Sequence, residues 1–577
     1  MSADAKPAEP PKPAGPPKPA PPKNPGFITC TIDGHEVVVK PGTNMVEAAR
    51  SIGSDIPYYC YHKRLSIAAN CRMCLVEVSN SPKLAPACQT AMSEGLVVKT
   101  STVKVKEVRR SVLELLLLNH PVDCAICDQA GECKLQDYYM RYDFQPSRLE
   151  GPKVMKSKRK VLGPAVVIDQ ERCILCSRCV RFMAEIAKKP QLGIFGRGSH
   201  ERVDVFPGGA LDSNYSVNTV DICPVGALLS RDFRFRARAW FLSAAPSVCS
   251  GCSRGCNVYA DYMGQDVYRY RPRDNEAVNR SWMCDEGRLT YKPLVQNRLV
   301  QPMVGRGADQ REAPRSEALA VASSKLRPLA GQGPLAVMAS AACSNEDLLG
   351  ALSFAKGSLG VSQVYVSGRP GGRPDELLLT ADRNPNRKGL EAIARALGLG
   401  LKPFADLVSA IESGSVKALY AVGGDVPIDV ARFVPAAERL ELFVLQAANE
   451  GPLVAQAHVA LPAASHLEDE GSFIQEAGLV QRFRRAFPPR GEAQPHWRWA
   501  AELARELAGT TGVTASSREV WKALAAQVPE LAGFDWDGAA PVARKAPGIN
   551  PLPAAADGRP PGYREIVADR ARGGTQP

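Results

Sequence analysis

The chain has 577 residues, an apolar fraction of 45% and a formal net charge of +12. This length predicts several domains, and the apolar fraction is enough for folded cores in most of them. No apolar run is long enough to cross a bilayer, so any membrane association is expected to come through partners. The composition also contains seventeen cysteines, which must be explained either as disulfides or as metal-bound thiolates.

The N-terminal part begins with a Pro/Ala/Lys tail and continues as a small α+β unit. Residues 1–25 contain too little apolar surface to order themselves, and we expect them to be disordered. Residues 27–39 alternate around Asp33-Gly34 and predict a β-hairpin. Thr43 is predicted to cap the short helix that follows. Strand, strand, helix and then a cysteine loop is the order of a plant-type ferredoxin domain.

The cysteines favour metal over disulfides. The first residues lack the apolar stretch of an export signal, and disulfides belong mainly to exported proteins. Cysteines only two or three residues apart cannot easily satisfy disulfide geometry with one another. A short loop that bends its thiolates toward one centre suits an iron–sulfur cluster instead.

Fifteen cysteines and one histidine fall into four groups of four, which leaves only Cys30 and Cys343 outside any group. The four groups are Cys60, Cys71, Cys74 and Cys88; His120, Cys124, Cys127 and Cys133; Cys173, Cys176, Cys179 and Cys223; and Cys249, Cys252, Cys256 and Cys284. Each group has the spacing of an iron–sulfur ligand set.

The first group has the spacing C-x10-C-x2-C-x13-C and suits a [2Fe–2S] centre. Plant-type ferredoxins have four residues between the first two cysteines, so the loop from Cys60 to Cys71 is wider than usual. The alternative is a set of unrelated buried thiols.

The second group gathers four ligands into fourteen consecutive residues, after a predicted amphipathic helix over residues 104–119 that ends before His120-Pro121. A fourth thiolate is missing, and His120 is the nearby residue able to replace it. The alternative is a solvent-facing or hydrogen-bonded histidine. A neutral imidazole would make the cluster less negative, which should raise its potential.

The third group contains the three-cysteine run of bacterial ferredoxins and is closed by Cys223-Pro224. Met183 stands where the fourth cysteine of that run would be, so one [4Fe–4S] cluster is expected. The fourth group could also hold zinc, which takes four thiolates as well. The company of three other cluster motifs favours iron.

The basic charge raises the question of nucleic acid, but bound clusters would change the total. Four clusters would contribute about −7, which brings the loaded chain to about +5. The basic excess is then interpreted as compensation for buried anionic cofactors, and no nucleic acid partner is expected. The bland alternative is solvated surface charge. Basic residues beside the predicted ligands are Arg72, Lys134, Arg172, Arg178, Arg181 and Arg254.

The second half of the chain has an α/β pattern. Buried parallel strands are predicted at residues 335–340, 361–367, 416–422 and 440–445, with helices at 346–356 and 389–397 between them. The predicted domains are a ferredoxin-like domain at 26–103, a domain with one histidine and three cysteine ligands at 104–150, a bacterial-ferredoxin-like domain at 151–240, the fourth cluster domain at 241–300, an α/β domain at 301–535 and an irregular tail at 536–577.

These four motifs in this order resemble the large iron–sulfur subunit of bacterial respiratory complex I, the NADH:quinone oxidoreductase, from about Phe27 to Arg288. The resemblance implies one [2Fe–2S] cluster on the first group and [4Fe–4S] clusters on the other three, with His120 as a ligand. The fourth cluster is kept by only some bacterial members and lies off the main electron path.

The resemblance also implies an electron-transfer role without a catalytic site in this chain. The partners would be a flavin- and NADH-binding subunit and other subunits of the peripheral arm. The chain would be a peripheral subunit, not inserted in the membrane, at the cytoplasmic face of the bacterial inner membrane. Proton translocation would be a property of the complex.

The second half is similar to a reduced molybdopterin oxidoreductase domain, as seen in Leu461-Pro462, Glu470-Gly471-Ser472-Phe473, Gly478 and Gln481. Formate dehydrogenases of that superfamily carry Lys-Gly-Arg after the fourth cysteine, whereas this chain has Cys284-Asp285-Glu286-Gly287-Arg288. Cys343, in the first βα connection, is interpreted as a buried thiol. No molybdenum is therefore expected.

Two other classes of protein compete with the complex I subunit. One is a self-sufficient enzyme, either a molybdopterin-dependent formate dehydrogenase or an NAD-linked hydrogenase subunit. The other is a scaffold in which the clusters only hold loops together. A hydrogenase needs further cysteines after the ferredoxin part, and beyond Cys284 the chain has only Cys343.

Overall fold

A computed structural model describes residues 26–143, 146–423, 430–510, 516–532 and 544–545. The predicted disordered tail at 1–25 lies outside the described residues, as does the predicted irregular tail at 536–577 except for residues 544–545. The predicted fold class is confirmed: a ferredoxin-like unit comes first, smaller cysteine-bearing units follow, and an α/β layer forms the second half.

The first unit is a five-stranded mixed sheet with one helix packed against it, which is a β-grasp arrangement. Its elements are β1 (Ile28–Ile32), β2 (His35–Val39), α1 (Met45–Ser51), β3 (Leu75–Val78), β4 (Ser81–Pro86) and β5 (Val97–Lys99), in the sheet order β2-β1-β5-β3-β4. The predicted hairpin is confirmed, and Asp33 and Gly34 have the positive φ angles that a tight two-residue turn requires.

The predicted cap of α1 is wrong by one residue. Asn44, rather than Thr43, is the N-cap, and its side-chain oxygen accepts a hydrogen bond from the backbone N–H of Glu47 at 3.0 Å. Both residue types can cap, but Asn44 has the extended backbone conformation of a cap and lies three residues before that N–H.

The second and third units carry few regular elements. The second contains α2 (Val103–Leu117) and α3 (Lys134–Tyr142), so the helix predicted to reach residue 119 ends two residues earlier. The third contains β6 (Lys160–Val161), β7 (Val166–Ile168), α4 (Arg178–Arg181), β8 (Leu192–Phe195), β9 (Arg202–Val205), α5 (Asn218–Asp221) and β10 (Leu228–Ser230).

The fourth unit is a three-stranded antiparallel sheet followed by two short helices. Its elements are β11 (Ser243–Val248), β12 (Asn257–Met263), β13 (Asp266–Pro272), α6 (Asp285–Arg288) and α7 (Tyr291–Val295). The loop between β11 and β12 contains three of the predicted ligand cysteines, and the fourth immediately precedes α6.

The second half is built on a central sheet in which, among the described residues, eight strands are joined. Its strands are β14 (Met303–Val304), β15 (Arg311–Glu312), β16 (Leu335–Ser340), β17 (Gln363–Ser367), β18 (Gly400–Pro403), β19 (Ala418–Val422), β20 (Leu442–Ala447) and β21 (Val459–Pro462). The order is β15-β14-β21-β20-β19-β16-β17-β18, and the strands from β21 to β18 run parallel.

Helices and a second small sheet complete this half. They are α8 (Arg315–Leu326), α9 (Asn345–Gly357), α10 (Arg387–Ala396), α11 (Phe404–Glu412), α12 (Val430–Ala437), α13 (Pro452–Gln456), β22 (Gly471–Ile474), β23 (Leu479–Phe483), α14 (His496–Ala508), α15 (Ser517–Gln527) and β24 (Arg544–Lys545). The predicted strands and helices are confirmed to within two residues, because parallel strands buried on both faces form nearly continuous apolar runs. None of the helices in the described part of the chain combines the length and apolar character that a membrane crossing requires.

The packing of α9 against α14 generates a first prediction. A Cβ atom added to Gly350 would lie 2.5 Å from Cβ and 2.7 Å from Cα of Trp497, so the helices would have to separate. Gly350→Ala is expected to lower the free energy of unfolding of this half by about 1–3 kcal/mol, the usual cost of overpacking.

Gly357, at the end of the same helix, has nothing within 4 Å of such an atom and provides the matched control. Gly357→Ala is expected to leave stability unchanged or to raise it by up to about 1 kcal/mol, since alanine has the better helix propensity. Urea unfolding followed by tryptophan fluorescence measures both variants. Equal midpoints in the two variants would contradict the predicted helix contact.

Candidate iron–sulfur sites

All seventeen cysteines of the chain lie within the described residues, and no disulfide joins any two of them. The two that the sequence leaves outside the four groups are buried: the Cys30 thiol donates to the carbonyl of Val37 at 3.2 Å, and Cys343 lies between β16 and α9. The remaining fifteen lie on loops or at helix starts.

The structure brings the four cysteines of the first group together. The thiol of Cys60 is hydrogen-bonded to those of Cys71 and Cys88, and Cys88 in turn to Cys74. The bonds from Cys71 and then Cys88 lower the pKa of Cys60 to about 2. Backbone N–H groups of Tyr59 and Cys60 also point at the Cys71 sulfur, each at 3.5 Å.

The backbone of the first group shows how its wide loop closes. Ala69 and Arg72, on either side of Cys71, have φ angles of 49° and 56°, in the left-handed region that non-glycine residues seldom adopt. Two such residues turn the chain sharply within four positions. The turn directs Cys71 back toward Cys60 from eleven residues away.

The second group is assembled around the start of α3. Cys133 is the N-cap of α3, but its side chain accepts no capping hydrogen bond from the helix backbone, and its thiol is directed at the Pro224 carbonyl at 3.9 Å. Burial raises the pKa of Cys133 to about 12. The thiols of Cys124 and Cys127 interact electrostatically with each other, as do those of Cys127 and Cys133.

His120 is half-buried four residues before Cys124, and its buried Nδ1 atom has no hydrogen-bond partner among the described residues. Burial is the largest cause that lowers the pKa of His120, to about 4. The charge of Asp123 opposes this shift, and the charges of Lys153, Arg172 and Lys158 add to it. Val122, two residues later, has a φ of 53°, which turns the chain between His120 and Cys124. One ring nitrogen of the imidazole, Nδ1, is therefore buried without a hydrogen bond within the described part of the chain.

Three cysteines of the third group, Cys173, Cys176 and Cys179, lie on one compact loop. Leu175 and Ser177 have φ angles of 53° and 59°, so the chain curls tightly around Cys176. The backbone N–H of Leu175 donates to the Cys173 sulfur at 3.4 Å, and burial raises the pKa of Cys176 to about 11. All four cysteines line one small apolar pocket, with Cys223 supplied by the turn after α5.

The fourth group surrounds a larger pocket of about 390 Å³. Backbone N–H groups of Gly251 and Gly287 donate to the sulfur atoms of Cys249 and Cys284, at 3.4 and 3.3 Å. A Cβ atom at Gly287 would lie 3.1 Å from both of those sulfur atoms, so only glycine leaves the space between them free.

The acidic residue that follows Cys284 has a structural partner. Asp285 accepts hydrogen bonds from the Ser216 hydroxyl at 2.6 Å and from the Val217 backbone at 3.1 Å. Arg288, one turn later, forms an ion pair with Asp221. The segment after the fourth cysteine therefore binds residues of the third unit.

Three arginines beside the predicted ligands join different groups. Arg172 pairs with Asp123 at 2.6 Å, which connects the third group to the second. Arg178 donates to the carbonyl oxygens of Tyr61 and Ile222, and Arg181 donates to those of Cys60 at 2.6 Å and Cys176 at 3.2 Å. Arg178 and Arg181 thus connect the first group to the third.

The first three groups also share one apolar cluster. Its buried members include Tyr59, Met73, Leu113, Cys133, Leu135, Tyr138, Val225 and Ala227, and Cys71, Cys173, Cys176 and Cys223 pack against it. The chain after Cys223 runs directly along the second group, since the Pro224 carbonyl accepts from the Lys134 backbone N–H at 3.0 Å. Apolar packing therefore connects these three groups to one another.

The fourth group is connected differently. Its cysteines share an apolar cluster with Cys179 of the third group, and Phe182 packs on Trp282 with ring centres 4.7 Å apart. The second half of the chain covers the other side: Arg254 donates to the carbonyl of Leu378 at 3.1 Å. Arg369 and Arg383 line the pocket, and Arg369 donates to the carbonyl of Ser250.

Sequence reasoning missed three side chains at these sites. The hydroxyl groups of Tyr59 and Tyr270 are buried near thiols of the predicted ligands, without hydrogen-bond partners among the described residues. Arg369 reaches the fourth group from more than one hundred positions away. Tyr59 adjoins Cys60 in sequence, which was a weak signal, but nothing in the spacing pointed to Arg369.

Known protein families match successive parts of the chain. The matches are a 2Fe-2S iron-sulfur cluster binding domain at residues 27–103, the NADH-ubiquinone oxidoreductase-G iron-sulfur binding region at 109–148, the ferredoxin-like domain of NADH-quinone oxidoreductase subunit 3 at 163–229, an NDSU1/NuoG-like 4Fe-4S domain at 250–292, and molybdopterin oxidoreductase at 361–506. The predicted similarity of the second half to molybdopterin oxidoreductases is thereby confirmed.

Relatives that match more than half of the chain agree with these domain matches. The G-type subunit of NADH-quinone oxidoreductase from Rickettsia conorii is 41% identical over 314 residues, which cover 54% of this chain and 47% of the relative. The mitochondrial NADH dehydrogenase [ubiquinone] iron-sulfur protein 1 of Solanum tuberosum is 38% identical over 404 residues, which cover 68% of this chain and 54% of the relative. The chain spans about half the length of these curated relatives.

Among solved structures, a chain of an NAD+-reducing [NiFe]-hydrogenase in the H2-reduced state matches with 29% identity and a TM-score of 0.34, over 36% of this chain and 90% of that chain. The relatives and the domain matches agree on one assignment. In its iron–sulfur half, the chain belongs to the family of large iron–sulfur subunits of NADH:quinone oxidoreductase, the respiratory complex I.

Proposed function

We propose that the chain is the electron-transfer subunit that carries electrons from the flavin subunit toward the quinone site of complex I. The observation that supports this most directly is the shared apolar cluster of the first three ligand groups. Because this cluster excludes water, an electron could pass from one of these groups to the next within the protein interior. In the complex, this transfer would be coupled to proton translocation.

The proposed ligands are the sixteen side chains of the four groups, which would hold one [2Fe–2S] and three [4Fe–4S] clusters. Backbone N–H groups directed at sulfur in the first, third and fourth groups support this assignment, because bound cluster sulfur is an anionic acceptor. The unpartnered Nδ1 of His120 supports its role as the fourth ligand of the second group. When bound, the clusters supply one-electron acceptors and donors at each site.

The chain's own residues would exclude water and hold the sites at fixed positions. Arg172, Arg178 and Arg181 bind backbone or carboxylate oxygens of neighbouring groups, so their charges lie close to the proposed anionic clusters. Hydrogen bonds and positive charge near sulfur favour the reduced, more negative state of a cluster. These residues would therefore set the potentials along the path.

The partners and place of the chain follow from the same proposal. It would contact the flavin- and NADH-binding subunit and other subunits of the peripheral arm, at the cytoplasmic face of the bacterial inner membrane, without a nucleic acid partner. The chain would have no substrate-converting site of its own. Close packing supports the absence of molybdenum at Cys343, since a Cβ atom at Gly423 would lie 2.7 Å from its sulfur.

Metal analysis tests the cofactor content. Anaerobically purified protein is expected to contain about 14 iron atoms per chain, from one two-iron and three four-iron clusters, with matching acid-labile sulfide. About 10 iron atoms with stoichiometric zinc would assign zinc to one site and remove the fourth cluster from the proposal. A colourless protein would contradict all four assignments.

Gly226 provides a test of the second group that changes none of the proposed ligand residues themselves. A Cβ atom there would overlap the sulfur of Cys127 and lie 3.0 Å from Cβ of Gln129. Gly226→Ala is therefore expected to displace Cys127 and to remove one four-iron cluster, about 4 of 14 iron atoms. Gly333→Ala, with nothing within 4 Å, is the control and should keep the full iron content.

His120 tests the function in the assembled complex. His120→Ala is expected to leave the fold intact, to abolish or alter the paramagnetic signal of one four-iron cluster and to slow NADH:quinone electron transfer. His120→Cys should restore the cluster with a lower potential, because a thiolate adds one negative charge. The exposed His200 provides the control, and His200→Ala should change neither property. Unchanged spectra and turnover in His120→Ala would exclude His120 as a ligand.

A further inference from the structure

The hydroxyl group of Tyr59 is buried, but the described residues around it give it no hydrogen bond. The side chain is fully buried, at 0% exposure, and the hydroxyl has no hydrogen-bond partner among the described residues. A buried polar group without a partner destabilises a fold, so such groups are rare and call for an acceptor.

The surroundings of the ring place this hydroxyl between the first two ligand groups. Tyr59 precedes Cys60, and its backbone N–H points at the Cys71 sulfur at 3.5 Å. Its ring packs edge-on against Tyr138 of α3, with centres 5.3 Å apart, and α3 begins immediately after Cys133. The ionisable groups that interact electrostatically with the hydroxyl are Tyr138, Cys133, Cys71 and Asp137.

Two of these four neighbours already take part in other hydrogen bonds. The Tyr138 hydroxyl accepts from the backbone N–H of Tyr58 at 3.3 Å, and the Cys71 sulfur receives two backbone N–H groups. Cys133 lies in the same buried cluster as Tyr59 and belongs to the proposed site of one histidine and three cysteines, whose iron–sulfur cluster would add sulfide and thiolate acceptors there. Such acceptors are anionic, and bonds to them are stronger than neutral ones.

We propose that the Tyr59 hydroxyl donates a hydrogen bond to a sulfur atom of the cluster held by His120, Cys124, Cys127 and Cys133. Tyr59 is a positioning residue that raises the reduction potential of this cluster, since a donor at sulfur stabilises the electron-rich state. This inference rests on the proposed ligand set of the second group. It adds a source of potential tuning beyond the replacement of thiolate by imidazole.

The fourth group contains a matching arrangement that serves as the reciprocal control. Tyr270 is also buried with an unpartnered hydroxyl among the described residues, and Cys249 is the thiol that acts on it. Tyr138→Phe provides a second control, because it removes a neighbouring hydroxyl that is bonded to the Tyr58 backbone.

The experiment is a redox titration of the assembled complex followed by electron paramagnetic resonance, with iron measured in each variant. Tyr59→Phe keeps the ring and removes only the oxygen atom. It is expected to shift the potential of the His-ligated cluster to a more negative value and to leave the other clusters unchanged. Tyr270→Phe should leave the His-ligated cluster unchanged, as should Tyr138→Phe.

A second measurement identifies the hydrogen bond directly. In the reduced complex, a proton that exchanges with D2O should couple magnetically to the His-ligated cluster, and this coupling should be lost in Tyr59→Phe. An unchanged potential at full iron content would overturn the inference, and so would a shift confined to the [2Fe–2S] cluster. Loss of iron in Tyr59→Phe would overturn it as well, by assigning a purely structural role. Absence of the His-ligated cluster from the unmodified complex would instead reject the proposed ligand set.

Discussion

The constraint on which the rest of the structure depends is the burial of cysteine sulfur atoms that would carry negative charge as cluster ligands. Thiolates in apolar surroundings are costly unless donors or cations are close to them. The chain meets this requirement locally, with backbone N–H groups turned toward sulfur at Cys71, Cys173, Cys249 and Cys284. Left-handed residues in the first three loops and glycines in the fourth make these inward turns possible.

The same constraint explains how the groups are joined. Arg172, Arg178 and Arg181 have the positions expected of counter-charges, but each also binds oxygen atoms of a different group. One side chain therefore serves as both electrostatic partner and structural link. Because the carbonyls that Arg178 and Arg181 bind lie in or beside the ligand loops, the relative positions of the first and third groups are set by the loops rather than by a separate scaffold.

The second half of the chain has a different relation to the clusters. Its parallel sheet has its own core, while Arg369 and Leu378 reach across to the fourth group. The residues after Cys284 do not match the pattern of molybdopterin enzymes, and Asp285 and Arg288 bind the third unit instead. A domain of the molybdopterin oxidoreductase type thus forms a cover for the fourth pocket, with two arginines beside its thiols.

The sequence by itself indicated the core of each group, because cysteines with two to five residues between them lie on one short loop, whereas Cys60, Cys88, Cys223 and Cys284 come from more distant parts of the chain. It also determined the parallel strands of the second half, whose apolar runs reflect burial on both faces. Only the tertiary structure decided which groups are neighbours, where the Tyr59 hydroxyl lies and how Arg369 reaches the fourth pocket. The last of these contacts joins positions more than one hundred residues apart, and no local spacing encodes it. The choice of Asn44 as the N-cap of α1 also depended on tertiary structure, since its side chain donates to the Tyr61 hydroxyl at 3.1 Å, seventeen residues later in the first unit.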